Sequence, residues 1–183
     1  NPSGPTPARV MAAKGLVPVK GTDQIILLAQ LGADSDEVVR TTAVDSLLKL
    51  PDPVLLPACE APLLPPVLHF LARTLKSEEA LGRLIANPAT PDASIETLAR
   101  TCSERMAERI AVNEARLLQA PQIIEALYKN RNTRMSTADR LIELAARNGL
   151  ELTGIPALAA VVEAVQGQLI PEPSDEQLPQ DLG

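Results

Sequence analysis

A block that occurs twice constrains this chain more than anything else in it. Leu71-Ala72-Arg73-Thr74 opens a stretch that runs through Ser77-Glu78 to Leu84-Ile85-Ala86-Asn87. Leu98-Ala99-Arg100-Thr101 opens a second, through Ser103-Glu104 to Ile110-Ala111-Val112-Asn113. Self-similarity at this period means stacked supersecondary units, because one helix pair cannot bury its apolar stripe alone. Each unit reads as a first helix with an apolar face ending in Leu-Ala, a short link with a Ser or Asp cap, and a second helix. The pairs fall at about 22–50, 63–87, 91–113 and 120–148. In the last the Leu-Ala phase is lost at Leu127-Tyr128. By this phase Leu98 and Leu71 hold the same position and should both face the stack.

Apolar residues make up 45% of the 183 but aromatics only 1%, so the core must be aliphatic. Small side chains let helices approach closely, whereas a base-stacking surface needs rings. The net charge of −6 sits in residues 148–183, which hold six acids and no base, and the body is near neutral. Nothing global therefore steers it to nucleic acid or anionic lipid. The two cysteines, Cys59 and Cys102, lie too far apart for a thiolate metal site and read as buried structural thiols. No apolar run reaches the ~18 residues of a membrane span, and no signal segment is visible, so a bacterial-type cytoplasmic protein is the default.

Capping and stop residues divide the chain further. Residues 1–20 read as a flexible lead holding a short helix, Ala8–Lys14, stopped by Gly15. Thr22 is the expected cap of a helix over Asp23–Leu31, and Asp34 or Ser35 of the next, whose apolar positions are Val38, Val39, Ala43, Leu47 and Leu48. A short helix is expected near Val54–Ala58, then one from Leu63 or Pro65 to Thr74. Others follow from Ser77 to Ala86, Pro91 to Arg100 capped by Thr90, and Glu104 to Val112 capped by Ser103. Leu117-Leu118 reads as a connector. Helices from Pro121 to Lys129, from Ser136 or Thr137 to Arg147, and over Pro156–Val165 complete the repeat domain, residues 21–167. Residues 168–183 read as an acidic, proline-bearing tail or a linker to a further domain. No strand signal is present.

Two resemblances rest on particular residues. Asp36-Glu37-Val38-Val39-Arg40, followed by Ala43 and Leu47, resembles the second-helix signature of HEAT-like repeats. Asn87-Pro88-Ala89-Thr90-Pro91 resembles the Asn-Pro-x-Thr-Pro hallmark of leucine-rich variant (LRV) repeats, with a degenerate echo at Asn130-Arg131-Asn132-Thr133-Arg134. From Asn113 to Gly149, above all at Arg134-Met135-Ser136-Thr137-Ala138-Asp139-Arg140-Leu141, the chain is also similar to HEAT-like proteins of myxobacterial and related deltaproteobacterial genomes. These resemblances imply an all-α fold, a short right-handed α-solenoid of helix pairs with disordered ends, and assign no particular activity. Some LRV proteins carry a cysteine-ligated iron–sulfur module; this chain lacks the cysteines for it.

Several residue sets could carry chemistry. Asn87, Asn113, Asn130 and Asn148 fall one per helix end, where Asn tolerates a left-handed backbone and its amide can satisfy free carbonyls. His69, the only histidine, has no nucleophile or orienting carboxylate beside it. The carboxylate pairs Asp34/Asp36, Glu78/Glu79 and Glu104/Glu108 suit helix starts and solvated ion pairs. No glycine-rich phosphate loop is present. One cluster stands out: Lys129, Arg131, Arg134 and Arg140 within twelve residues, with Asp139 the only acid among them. It could meet an acidic protein surface, a phosphate backbone, anionic lipid or the chain's own tail, or simply solvate a loop. The expected function is a non-enzymatic protein-interaction scaffold without cofactor, catalytic or metal residues. The alternatives are a nucleic-acid or anionic-surface binder through Lys129–Arg140, or an enzyme of the lyase or glycosylase kind known among HEAT-like proteins.

Overall fold

The computed structural model describes residues 4–168, which form twelve helices and no strand. They are α1 (Thr6–Ala13), α2 (Thr22–Leu31), α3 (Glu37–Leu48), α4 (Asp52–Glu60), α5 (Pro65–Thr74), α6 (Glu78–Ala86), α7 (Asp92–Ala99), α8 (Glu104–Ala111), α9 (Glu114–Gln119), α10 (Gln122–Lys129), α11 (Met135–Arg147) and α12 (Ala157–Gln168). The protein is all-α over this range. The tail expected beyond residue 168 lies outside the described residues.

The elements form where the sequence supplies a start and a stop. Gly15, at φ +72°, ends α1 in a backbone conformation that side-chain-bearing residues avoid. Ser77 and Ser103 cap α6 and α8 through their hydroxyls, as expected. Elsewhere the cap moves. Asp36 caps α3, taking the N–H groups of Val38 and Val39. Asp34 instead accepts the N–H of Asp36 and pairs with Arg9, and these together hold its carboxyl below the ordinary range. Gly21, not Thr22, precedes α2. Thr90 does not cap α7; its hydroxyl donates to the Leu84 carbonyl at the end of α6, which also accepts the N–H of Asn87. Arg134 stands at the N-cap of α11, so that helix begins before Ser136 and Thr137. The Leu117-Leu118 connector is itself helical, as α9. α4 runs through Pro57 and is longer than expected.

Packing follows the pairs. α2 lies against α3, α5 against α6, α7 against α8, and α10 against α11. Between pairs, α5 packs on α2, α7 on α5 and α10 on α7, while α6 packs on α4, α8 on α6 and α11 on α8. α1 docks on α2 and α3, and α12 on α11. The docking of α1 is polar as well as apolar: Arg9 holds both oxygens of Asp34 at 2.7 Å, and the Ser46 hydroxyl donates to the Ala13 carbonyl.

The buried residues form two aliphatic clusters. One is built on α1–α6 around Leu28, Leu47, Leu68 and Leu71, the other from Ile85 onward around Ile95, Ile110, Ile123 and Leu141. Leu81 and Leu98 touch both. Leu98 is therefore half-buried at the seam, whereas Leu71, at the same repeat position, is fully buried. The two copies share a phase but not a depth. On α3, Val39, Ala43 and Leu47 face inward, while Val38 and Leu48 are exposed.

Leu71→Ala is expected to destabilise the fold by ~2–5 kcal/mol, through lost burial and a residual cavity. Leu98→Ala should cost clearly less, because its site is already partly open to solvent. Urea unfolding of both variants checks the order; equal losses would place Leu98 in the same environment as Leu71.

Candidate partner-binding edge

The turn between α10 and α11 is held from behind by one side chain. Asn130 ends α10 in an extended conformation, φ −75° and ψ 119°, and is buried. Its amide donates to the carbonyls of Ala99 and Cys102, each at 3.0 Å, at the end of α7. Its carbonyl oxygen accepts the N–H of Asn132 at 2.9 Å. Asn132 then adds a second donor to the Cys102 carbonyl, at 3.0 Å. Buried carbonyls at a helix end are costly to leave without a donor, so this amide fixes the turn to the preceding unit.

The same arrangement occurs 43 residues earlier. Asn87 donates to the carbonyls of Cys59 and Ala61 at 2.9 Å and accepts the N–H of Ala89. Neither asparagine is left-handed; no residue but glycine has a positive φ among the described residues. The expected C′ conformation is thus corrected, although the amides do satisfy carbonyls, those of another helix rather than their own. Asn113 instead caps α9 by accepting the N–H of Arg116, and Asn148 donates to Leu144 within its own helix. The sequence carries one signal of this pairing: Cys59 precedes Asn87 by the same 28 residues as Cys102 precedes Asn130.

The two turns differ in what covers them. In the first, the guanidinium of Arg116, only 11% exposed, bridges the carbonyls of Thr90 and Asn87 at 2.9 and 3.1 Å and lies 3.6 Å from Asp92. In the second, Arg131 stands where Pro88 stood and Met135, 81% exposed, where Asp92 stood. This is the region of the four basic residues singled out above. Lys129 pairs with Glu125 on its own helix at 2.6 Å. Arg134 reaches Glu104 of α8 at 2.6 Å, and Arg140 lies 4.0 Å from Glu108, which also accepts the Thr137 hydroxyl. All four side chains are on the surface, but three of them have a carboxylate beside them. Arg131 is exposed and has no ion pair among the described residues.

The other candidates are occupied locally. His69 bonds the buried Ser94 hydroxyl at 2.7 Å, between α5 and α7. Glu79 pairs with Arg83, and Glu78 accepts the Ser103 hydroxyl. Among the described residues no three His, Cys, Asp or Glu side chains gather to hold a metal ion. No described helix is long and apolar enough to cross a membrane. Both cysteines are free; burial pushes the Cys59 thiol up to about 11 and also raises that of Cys102.

No family model matches the chain, and no curated protein or solved structure matches it.

Asn130→Ala should cost about 1–3 kcal/mol by taking the amide donor from the Ala99 carbonyl and one of the two amide donors from the Cys102 carbonyl, while Asn148→Ala, at an exposed helix end, should be close to neutral. Thermal unfolding of the two variants decides it. For Cys59 the folded state favours the neutral thiol. Its contribution to stability is full below pH 9 and is lost as pH rises through about 11. Titrating thiolate absorbance in the native protein should show no Cys59 thiolate until that range; a thiolate at pH 8 would contradict the burial.

Proposed function

We propose that the chain is a non-enzymatic protein-interaction module, a short right-handed α-solenoid of HEAT-like and LRV-like helix pairs that meets an acidic protein surface along its turn edge. The observation that carries this reading is Arg131. It is exposed, without an ion pair among the described residues, on a turn that Asn130 and Asn132 anchor to the unit behind it. A charge on an anchored turn is presented in one place, so a partner loses little in ordering it. The exposed Met135 beside it adds apolar contact of the kind that interfaces favour.

The solenoid part of the reading is supported by the packing of each pair on the next, α2–α5–α7–α10 on one side and α4–α6–α8–α11 on the other. A protein partner suits the edge better than a phosphate backbone does. Glu125, Glu104 and Glu108 sit beside Lys129, Arg134 and Arg140 and cancel much of their field. A reducing, cytoplasmic setting suits two free thiols.

The test is affinity capture from the native cell followed by binding kinetics with the purified partner. Arg131→Glu should slow association by about tenfold, more at low salt than at high, and leave the melting temperature unchanged. Arg134→Glu should do less to the on-rate and more to stability, because it also breaks the pair with Glu104. A partner that binds Arg131→Glu as well as the unaltered chain would overturn the reading.

A further inference from the structure

A second surface, remote in sequence from the Arg131 edge, has the shape and charge of a peptide groove. The end of α2 and the start and middle of α5 enclose a groove of about 420 Å³. Its floor is apolar: Ala29 comes from α2, Gly32 from its C-cap, and Val67 and Phe70 from α5, all buried. Its rim is open, with Gln30, Ala33, Pro66 and Arg73 exposed. An occupant would keep one side in water, which suits an amphipathic segment better than an enclosed small ligand.

The floor depends on a close approach. A Cβ on Gly32 would stand 2.2 Å from Cε2 of Phe70, so only glycine lets the ring lie against the end of α2. The charge of the groove has one sign. Arg73 lines it, no acid does, and Arg73 has no ion pair among the described residues. Seven of the other arginines have a carboxylate beside them: Arg9, Arg83, Arg100, Arg116, Arg134, Arg140 and Arg147. The carbonyls of Leu28, Gln30 and Leu31 accept the N–H groups of Gly32, Ala33 and Asp34. Asp34, the acid next to this wall in sequence, is held by Arg9.

We propose that this groove seats an acidic amphipathic peptide segment of a partner protein. Two apolar side chains about one helical turn apart lie on Phe70, Val67 and Ala29, and a carboxylate pairs with Arg73. The proposal rests on reading the chain as an interaction module but uses none of the residues of the Arg131 edge.

The experiment is selection from a phage-displayed library of random dodecapeptides, followed by titration of the enriched synthetic peptides. The chain has one phenylalanine and one histidine, and both line the groove, so the ring resonances of Phe70 and His69 report its occupancy directly. Enriched peptides should carry Asp or Glu beside apolar residues spaced by three or four, and should shift both rings saturably. Arg73→Glu and Arg73→Gln should weaken them by about tenfold or more with the melting temperature unchanged, and Arg73→Glu should gain affinity for Lys-substituted versions of the same peptides. Arg131→Glu should leave peptide binding as it was. The proposal is overturned if selection enriches nothing, if the enriched peptides leave Phe70 and His69 unshifted, or if they bind Arg73→Glu equally. A native partner that is lost with Arg131→Glu in any of those cases leaves the edge reading standing.

Discussion

A buried asparagine amide bonded to the end of a neighbouring helix is the interaction on which the rest of this structure depends. Short helices expose many free carbonyls relative to their length, and burying such ends is costly unless donors are supplied. Asn87 and Asn130 supply two each, to the ends of α4 and α7. Hydrogen bonds are directional, so the contact also sets the register in which one unit lies on the next. Aliphatic packing alone, in a core almost without aromatic rings, would tolerate sliding; the amides do not.

The polar surface repeats the logic more loosely. Arg83 joins Glu60 of α4 to Glu79 of its own helix, Ser103 reaches Glu78, and Arg134 and Arg140 reach back to Glu104 and Glu108. These contacts tile the row α4–α6–α8–α11. Exposed pairs of this kind add little to stability, but they cancel part of the charge along that row, where Arg105 and Arg109 of α8 are exposed without an ion pair among the described residues. Arg131 and Arg73 lie outside this network, one in a turn and the other at a groove.

The helix pairs were legible in the sequence because Leu-Ala phase and Ser caps are local signals. What escaped was decided by groups far along the chain. Thr90 reads as a cap from its neighbours, yet the Leu84 carbonyl takes its hydroxyl. Asp34 reads as a cap, yet Arg9 claims it from 25 residues away. The basic cluster was visible, but its neutralisation by Glu104 and Glu108 of α8 was not, since nothing local links those residues to Arg134 and Arg140. The groove was invisible for the same reason: Gly32 and Phe70 meet only once α2 and α5 are packed.

Most of the side chains that join units point the same way along the chain. Asn87 reaches back to Cys59 and Ala61, Arg116 to Asn87 and Thr90, Asn130 to Ala99 and Cys102, and Arg134 to Glu104. In each of these contacts the donor follows its acceptor, whereas Arg9, which reaches forward to Asp34, runs the other way. A chain leaving the ribosome N-terminus first therefore brings each amide or guanidinium to carbonyls and carboxylates that have already emerged. The helix pairs can close one at a time during synthesis, with only the newest apolar stripe exposed at any moment.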